Sequence, residues 1–211
     1  MSVWAIVVAA GSGSRFGKPK QYEPLAGQRV LDWSLAAARA SCDGVVLVVP
    51  SSRADAAEPV DAVVAGAETR SGSVRAGLAA VPDDADVIAV HDAARPLATP
   101  ALFDAAVAAV RAGAQGAICA VPVTDTVKRV ADGAVAETLD RRHLVAVQTP
   151  QAFDATTLRA AHARNPEATD DAAVVESAGG RVVVVPGDPH NLKITNPDDL
   201  AVAAALLERR R

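Results

Sequence analysis

The chain predicts an α/β fold with a doubly wound, mostly parallel sheet. Three observations predict it. Runs of Val, Ile and Ala recur with almost no polar interruption, as in strands buried on both faces. Segments with helical spacing of apolar residues alternate with them along the 211 residues. Several apolar runs also end in loops bearing glycine or acid, where sheets of this kind bind ligands.

The elements follow in order. "VWAIVVAA", from Val3, reads as a buried strand, and "LDWSLAAARASC" sets Leu31, Leu35, Ala38 and Cys42 on one helical face. "GVVLVVP" is a second strand and "DAVVAG" a third. "SVRAGLAAV" places Val74, Leu78 and Val81 on one face of a second helix, and "DVIAV" is a strand ending at His91 and Asp92. "TPALFDAAVAAVRAG" carries its own boundaries: Thr99 as N-cap, Pro100 in the first turn, Gly113 beyond the end. "GAICAVPV" and "RVVVVPG" are further strands. The tail "NPDDLAVAAALLERRR" has an Asn cap, acids in its first turn and arginines in its last. One segment breaks the alternation. "DTVKRVADGAVAETLDR" has two short alternating runs around Asp132-Gly133, a β-hairpin signal. A lone hairpin is marginal in water, so this one needs a surface to pack on, such as another subunit.

Half the residues are apolar but only 3% are aromatic, so the core must be built from small aliphatic side chains. The length suits one large domain spanning 1–211, with no Ser/Gly-rich linker. A formal charge of −4 argues against a nucleic-acid binder that works through a general basic field. Cys42 and Cys119 lie far apart without metal-like spacing, which points to a reducing, cytoplasmic setting. No stretch approaches the length of a membrane span or forms a signal segment.

The first strand runs directly into "AAGSGSRFGKPKQY", with three glycines, one arginine and two lysines. It is not a P-loop, because Ser12 occupies the first required glycine and Pro19 follows Gly17-Lys18. It does not fit the dinucleotide fingerprint either. The spacing from Gly11 is G-x-G-x-x-x-G, and no acid ends the second strand where a ribose would be held. A nucleoside triphosphate loop fits better. Gly11 and Gly13 let backbone N–H groups turn toward phosphate, Arg15 offers a planar fork and Lys20 a compact charge. The plainer alternative is a solvated turn with scattered surface cations. Asp92, at a strand's carboxyl end, is placed to hold Mg²⁺ or a sugar hydroxyl, or simply to cap a turn. Arg70 and Ser73 stand at a helix N-terminus, which attracts anions. His91 reads as a packing residue.

This loop resembles the signature of the 2-C-methyl-D-erythritol 4-phosphate cytidylyltransferases, within the nucleotidyltransferase superfamily. The likeness continues in order through "TRSGSVRAGL", "HDAARP", "VPVTDTVK", "TPQAF", "TDDA" and "NLKIT". The resemblance implies a Rossmann-like nucleotidyltransferase fold with a β-arm at about 122–147, exchanged between the subunits of a homodimer. It implies CTP and a sugar-alcohol phosphate as substrates, with Mg²⁺ or another divalent cation. By resemblance Arg15 and Lys20 stabilise the transition state, and Arg141 and Lys193 position the acceptor phosphate. Ala9, Ala10, Gly11, Gly13, Arg70, Ser73 and Asp92 then serve the nucleotide, and Thr126 and Thr149 the acceptor, while Arg95 either joins the acceptor site or simply pairs with an acid. The chain departs from the family where paired glycines often precede an acid, reading Gly66, Ala67, Glu68. Lys128, Arg129 and Arg142 read as solubilising cations on exposed strand faces. The nearest rival is a ribitol 5-phosphate cytidylyltransferase, which shares CTP and differs in its acceptor. Retention of the expected cations argues against a non-catalytic nucleotide sensor, and the glycine spacing against an NAD-dependent oxidoreductase.

Overall fold

A computed structural model describes residues 1–210. The elements run β1 (Val3–Val8), β2 (Pro24–Leu25), β3 (Gln28–Arg29), α1 (Val30–Ser41), β4 (Gly44–Val49), β5 (Ala62–Ala65), α2 (Arg70–Leu78), β6 (Val87–Asp92) and α3 (Pro100–Arg111). There follow β7 (Gly116–Pro122), β8 (Lys128–Ala131), β9 (Ala134–Thr138), β10 (Val145–Asp154), α4 (Ala155–His162), α5 (Asp171–Ser177), β11 (Val182–Pro186) and α6 (Asp198–Glu208). Seven strands form one sheet, ordered β11-β7-β10-β6-β1-β4-β5. β1 is parallel to β4 and β6, β5 continues the parallel run beyond β4, and β11 is parallel to β7. β10 runs antiparallel to both its neighbours, β6 and β7.

The strands are apolar on both sides because both sides are covered. In β1, Ala5 and Val7 meet Leu31 and Leu35 of α1 and Phe103 of α3 on one face. Ile6 turns to the other face, with Val74 and Leu78 of α2, Leu158 of α4 and Val174 of α5. Period-2 alternation thus feeds two cores, so neither face tolerates a polar residue. A third cluster joins Ala203 and Leu207 of α6 to Phe16, Leu25, Val30, Leu97 and Ile194. Phe16 lies inside the glycine-rich loop, so α6 anchors that loop from below.

β10 is where the sequence misleads. "VAVQTPQAFD" holds Pro150, which has no N–H to give a ladder and so argues against a central strand. The sheet accommodates it with an irregularity: pairing to β7 breaks between Val147 and Gln151, across the proline. The short helices α4 and α5 also lacked a sequence expectation, although Asp154 and Asp170 cap them by accepting from Thr157 N and Ala173 N. Of the arginines expected in the last turn of α6, Arg209 and Arg210 fall just past it, where Arg210 donates to Leu97 O at 2.9 Å, and Arg211 lies outside the described residues.

The hairpin expected around Asp132-Gly133 is present. Both turn residues have positive φ, 49° and 76°, as a tight two-residue turn between twisted strands requires. Every residue of β8 and β9 is exposed, including the opposed pair Val130 and Val135. Both cysteines are free thiols. Among the described residues no helix is long and apolar enough to cross a membrane.

Candidate active site

The carboxyl ends of β1 and β6 and the segment that follows β5 open on one cleft. Beyond β1, Ala9 keeps strand pairing through its N–H to Val48 O at 2.7 Å before the chain turns away. Gly13, at φ 70°, then accepts from Phe16 N and Gly17 N at 2.8 and 2.9 Å. This turn leaves Arg15 exposed at the crest while Phe16 packs inward. Gln21 braces the loop from within. Its buried amide donates to Ala9 O at 2.6 Å and Gly11 O at 3.1 Å. The opposite wall is the segment 66–69 that enters α2. Thr69 caps that helix by accepting from Gly72 N, and Ser73 Oγ accepts from Ala67 N while donating to Thr69 O at 2.9 Å. The methyl of Ala67 lies over Gly72, where a Cβ on Gly72 would come within 2.8 Å of it.

The cleft holds about 530 Å³, within the range of small-molecule sites. Four cations line it, Arg15, Lys20, Arg70 and Lys193, against two acids, Glu68 and Asp92. Lys193 Nζ lies 2.6 Å from Asp92 Oδ2, and Arg70 Nε lies 3.5 Å from Asp92 Oδ1. Burial opposes the charge on Asp92, but Lys193 and Arg70 overcome it and hold the carboxyl well below its usual range. Arg15 and Lys20 have no acid within ion-pairing distance among the described residues. Burial, followed by the charges of Lys193 and Arg15, lowers the Lys20 pKa. The fold therefore crowds positive charge that the protein itself does not neutralise. An anion completes such a site.

Ten of the residues expected from the sequence meet at this cleft: Ala9, Ala10, Gly11, Gly13, Arg15, Lys20, Arg70, Ser73, Asp92 and Lys193. Ser73 is nearly buried and its hydroxyl shapes the wall. Thr149 and Arg95 stand behind the lining. Thr149 Oγ1 accepts from Asp92 N at 3.0 Å, and Arg95 donates to Asn191 O and Val147 O. Thr126 and Arg141 belong to the arm and do not line this cleft; Arg141 donates to Thr124 O. Lys128, Arg129 and Arg142 are exposed, with local partners Thr138, Glu137 and Asp140. His91 is fully buried, 3.0 Å from Thr149 Oγ1, and burial pushes its imidazole down to about 4. It is a neutral packing residue. Gln21 and Asp171 were missed; the only signal was their place inside "KQY" and "TDDA".

Among the described residues no group of three or more His, Cys, Asp or Glu could hold a metal. Asp92 alone at a strand end still suits Mg²⁺, which binds through one or two carboxylates together with substrate phosphates and water. The arrangement is built for binding and charge stabilisation, with no exposed nucleophile–base pair in the lining.

The model of the 2-C-methyl-D-erythritol 4-phosphate cytidylyltransferase family matches residues 3–209. A relative of that name from Nocardia farcinica is 48% identical, covering 99% of this chain and 95% of the relative. The crystal structure of the protein of that name from Thermus thermophilus superposes with a TM-score of 0.81 at 34% identity, covering 99% of this chain and 100% of the other. That of 4-diphosphocytidyl-2C-methyl-D-erythritol synthase from Anaerococcus prevotii gives 0.85 at 30% identity, covering 98% of each chain. A match of this extent, from residue 3 to residue 209, places the protein in the 2-C-methyl-D-erythritol 4-phosphate cytidylyltransferase family.

Proposed function

We propose that the protein condenses CTP with 2-C-methyl-D-erythritol 4-phosphate, giving 4-diphosphocytidyl-2-C-methyl-D-erythritol and diphosphate in non-mevalonate isoprenoid biosynthesis. One observation carries this reading: Arg15 and Lys20 stand unpaired over the glycine loop, in a cleft whose nearest histidine is buried and neutral. The chemistry asks for that combination. The acceptor's phosphate has a second pKa of about 6 and is largely ionised at neutral pH, so no base need activate it. Its oxygen attacks the α-phosphorus of CTP, a P–O bond forms, and the bond to the bridging oxygen breaks with its electron pair leaving on diphosphate. Two polyanions must be brought together and the charge on the α-phosphate stabilised.

In this reading Ala9, Ala10 and Gly11 receive the cytidine end, where small side chains admit the ligand to the backbone. Arg15 and Lys20 meet the charge that builds during attack. Lys193 turns from Asp92 to the acceptor phosphate, while Arg95 and Thr149 support the acceptor side from behind the lining. Asp92 would hold Mg²⁺ carried in with the triphosphate. The ion, when bound, neutralises phosphate charge. Arg141 and Thr126 complete the acceptor end from the arm of a second subunit in a homodimer, and the enzyme works in the cytoplasm.

The test offers CTP with either 2-C-methyl-D-erythritol 4-phosphate or ribitol 5-phosphate and measures diphosphate. The expected result is a higher kcat/KM for the first, with Lys20→Ala lowering kcat by about 10²–10³. Preference for ribitol 5-phosphate, or a Lys20→Ala enzyme within a few-fold of wild type, would overturn the reading.

A further inference from the structure

Behind the cleft wall runs a buried polar chain whose rear members, His162 and Asp171, the proposed reaction does not use. His162 Nε2, at the end of α4, lies 3.1 Å from Asp171 Oδ1. The other oxygen of Asp171 accepts from Arg70 Nη1 at 2.8 Å. Arg70 then reaches forward, its Nε 3.5 Å from Asp92 Oδ1, and Asp92 Oδ2 meets Lys193 at 2.6 Å. Asp171 is 0% exposed and His162 2%. With Arg70 donating to one oxygen, the Nε2–H tautomer of His162 satisfies the other and leaves Nδ1 without a partner, as observed among the described residues.

The surroundings hold this chain in place. Gln151, on β10, donates to Asp170 Oδ2 at 2.8 Å and accepts from Ala172 N, fixing the start of α5. Arg75 donates to Pro166 O at 2.7 Å, and Ala168 N to Ser71 Oγ, so the segment before α5 clasps the first turns of α2. A buried carboxylate with two partners is costly to place and costly to unpair. Burial also works against the charge on Arg70, and Asp171 and Asp92 together hold its pKa above the ordinary arginine value.

We propose that Asp171, backed by His162, is a positioning residue of the nucleotide site, fixing the guanidinium of Arg70 between itself and Asp92. The inference rests on the nucleotide reading of the cleft given above. Held from behind, Arg70 cannot fold wholly onto Asp92, and it keeps a counter-charge on that acid when Lys193 turns to an incoming phosphate. Without Asp171 it collapses onto Asp92 and the wall at the entrance of α2 changes shape. The cost falls on nucleotide affinity, while Arg15 and Lys20 remain in place.

The experiment is a double-mutant cycle on CTP binding, read by titration calorimetry, with acceptor KM and thermal unfolding measured alongside. Asp171→Asn is expected to weaken CTP about tenfold and leave the acceptor KM within about twofold. In an Arg70→Gln background the same substitution should weaken CTP less than twofold, because its route of action is gone. A merely structural role lowers the unfolding temperature and leaves CTP affinity unchanged. That result, or a full tenfold loss in the Arg70→Gln background, overturns the proposal. Where Asp171→Asn does not fold, the His162 pair decides: His162→Leu should weaken CTP and His162→Gln, which keeps a donor facing Asp171, should restore it. Equal affinity in both would refute it. Wild type that binds CTP but releases no diphosphate sinks the proposed reaction and leaves this cycle able to decide.

Discussion

Gly11 and Gly13 stand two residues apart in the same loop, and the structure gives them different reasons to be glycine. Gly13 sits at φ 70°, and a Cβ built there would lie 2.0 Å from Lys18 O and 2.7 Å from Lys18 C. Those are backbone atoms and cannot swing aside. The left-handed conformation costs a residue with a Cβ about 1–2 kcal/mol, and forcing an atom into occupied space adds about 1–3 kcal/mol. The loop relieves the overlap only by opening between Gly13 and Lys18, which breaks the bonds from Phe16 N and Gly17 N and moves Arg15. Gly11 has no such constraint. A Cβ there meets nothing within 4 Å, and its φ lies outside the left-handed range.

Gly13→Ala should therefore lower the unfolding temperature by about 4–20 °C, for a loss of about 2–5 kcal/mol in a chain of this size. It should also lower kcat by about 10²-fold, as displacement of a charge-stabilising cation does. Gly11→Ala should unfold within about 1 °C of wild type and keep kcat within a few-fold. Its CTP KM should still rise about tenfold, because the new methyl stands where the ligand approaches the backbone. The assays are calorimetric unfolding and diphosphate release at varied CTP. A Gly11→Ala enzyme with wild-type KM would refute close approach of the nucleotide to this residue. A Gly13→Ala enzyme indistinguishable from wild type would refute the loop geometry itself.

Three further expectations follow from other parts of the molecule. Lys20 must be protonated to act and its pKa is lowered by burial and like charge, so activity should fall as pH rises through that lowered value. Bound triphosphate supplies the missing counter-charge, so the basic limb should lie at higher pH in kcat than in kcat/KM, and coincident limbs would contradict the assignment. Arg159 donates to Leu78 O, Val81 O and Pro82 O at 2.9–3.0 Å, and Arg159→Ala should destabilise the fold by about 2–4 kcal/mol in urea titration. An unchanged midpoint would show those carbonyls to be served by water. If the arm is exchanged in a homodimer as proposed, replacing residues 128–138 with a short turn should abolish both dimerisation in sedimentation and activity; a monodisperse active dimer would show the arm to be dispensable.

The parallel half of the sheet was legible because its strands are buried on both faces, and such strands have no choice but to be continuously apolar. The glycine loop was legible because cations beside a turn after a buried strand have few other uses. β10 was not, since Pro150 is forbidden in a regular ladder, and only an irregular pairing, invisible in one sequence, admits it. Asp171 and His162 were hidden for a different reason. Their partner Arg70 lies 101 positions from Asp171, and no local spacing announces an ion pair of that span. Thr149 is expected at the acceptor on the family resemblance alone, and Arg95 either as a substrate contact or as an acid's partner. In space they hold the backbone that carries it, Thr149 through Asp92 N and Arg95 through the carbonyls of Asn191 and Val147.

The two halves of the expected site differ in how they are built. The nucleotide half is braced from every side. Gln21 ties the loop to its own strand, Phe16 is held under α6, and the segment before α5 clasps α2. Small errors in phosphate position are costly in rate, and rigid support is what prevents them. The acceptor half has no such bracing in one chain. Arg141 and Thr126 lie on an arm whose two strands are wholly exposed, with Val130 opposite Val135 at 59% and 63% exposure. A two-stranded ribbon of that kind is barely stable alone and gains order by burying its apolar face. In the homodimer proposed above, a second copy related by two-fold symmetry would offer that surface to both arms at once, and each arm would bring its Arg141 to the other's cleft. In that arrangement the acceptor end forms only when the dimer forms, so specific activity falls on dilution even though every nucleotide cleft remains intact.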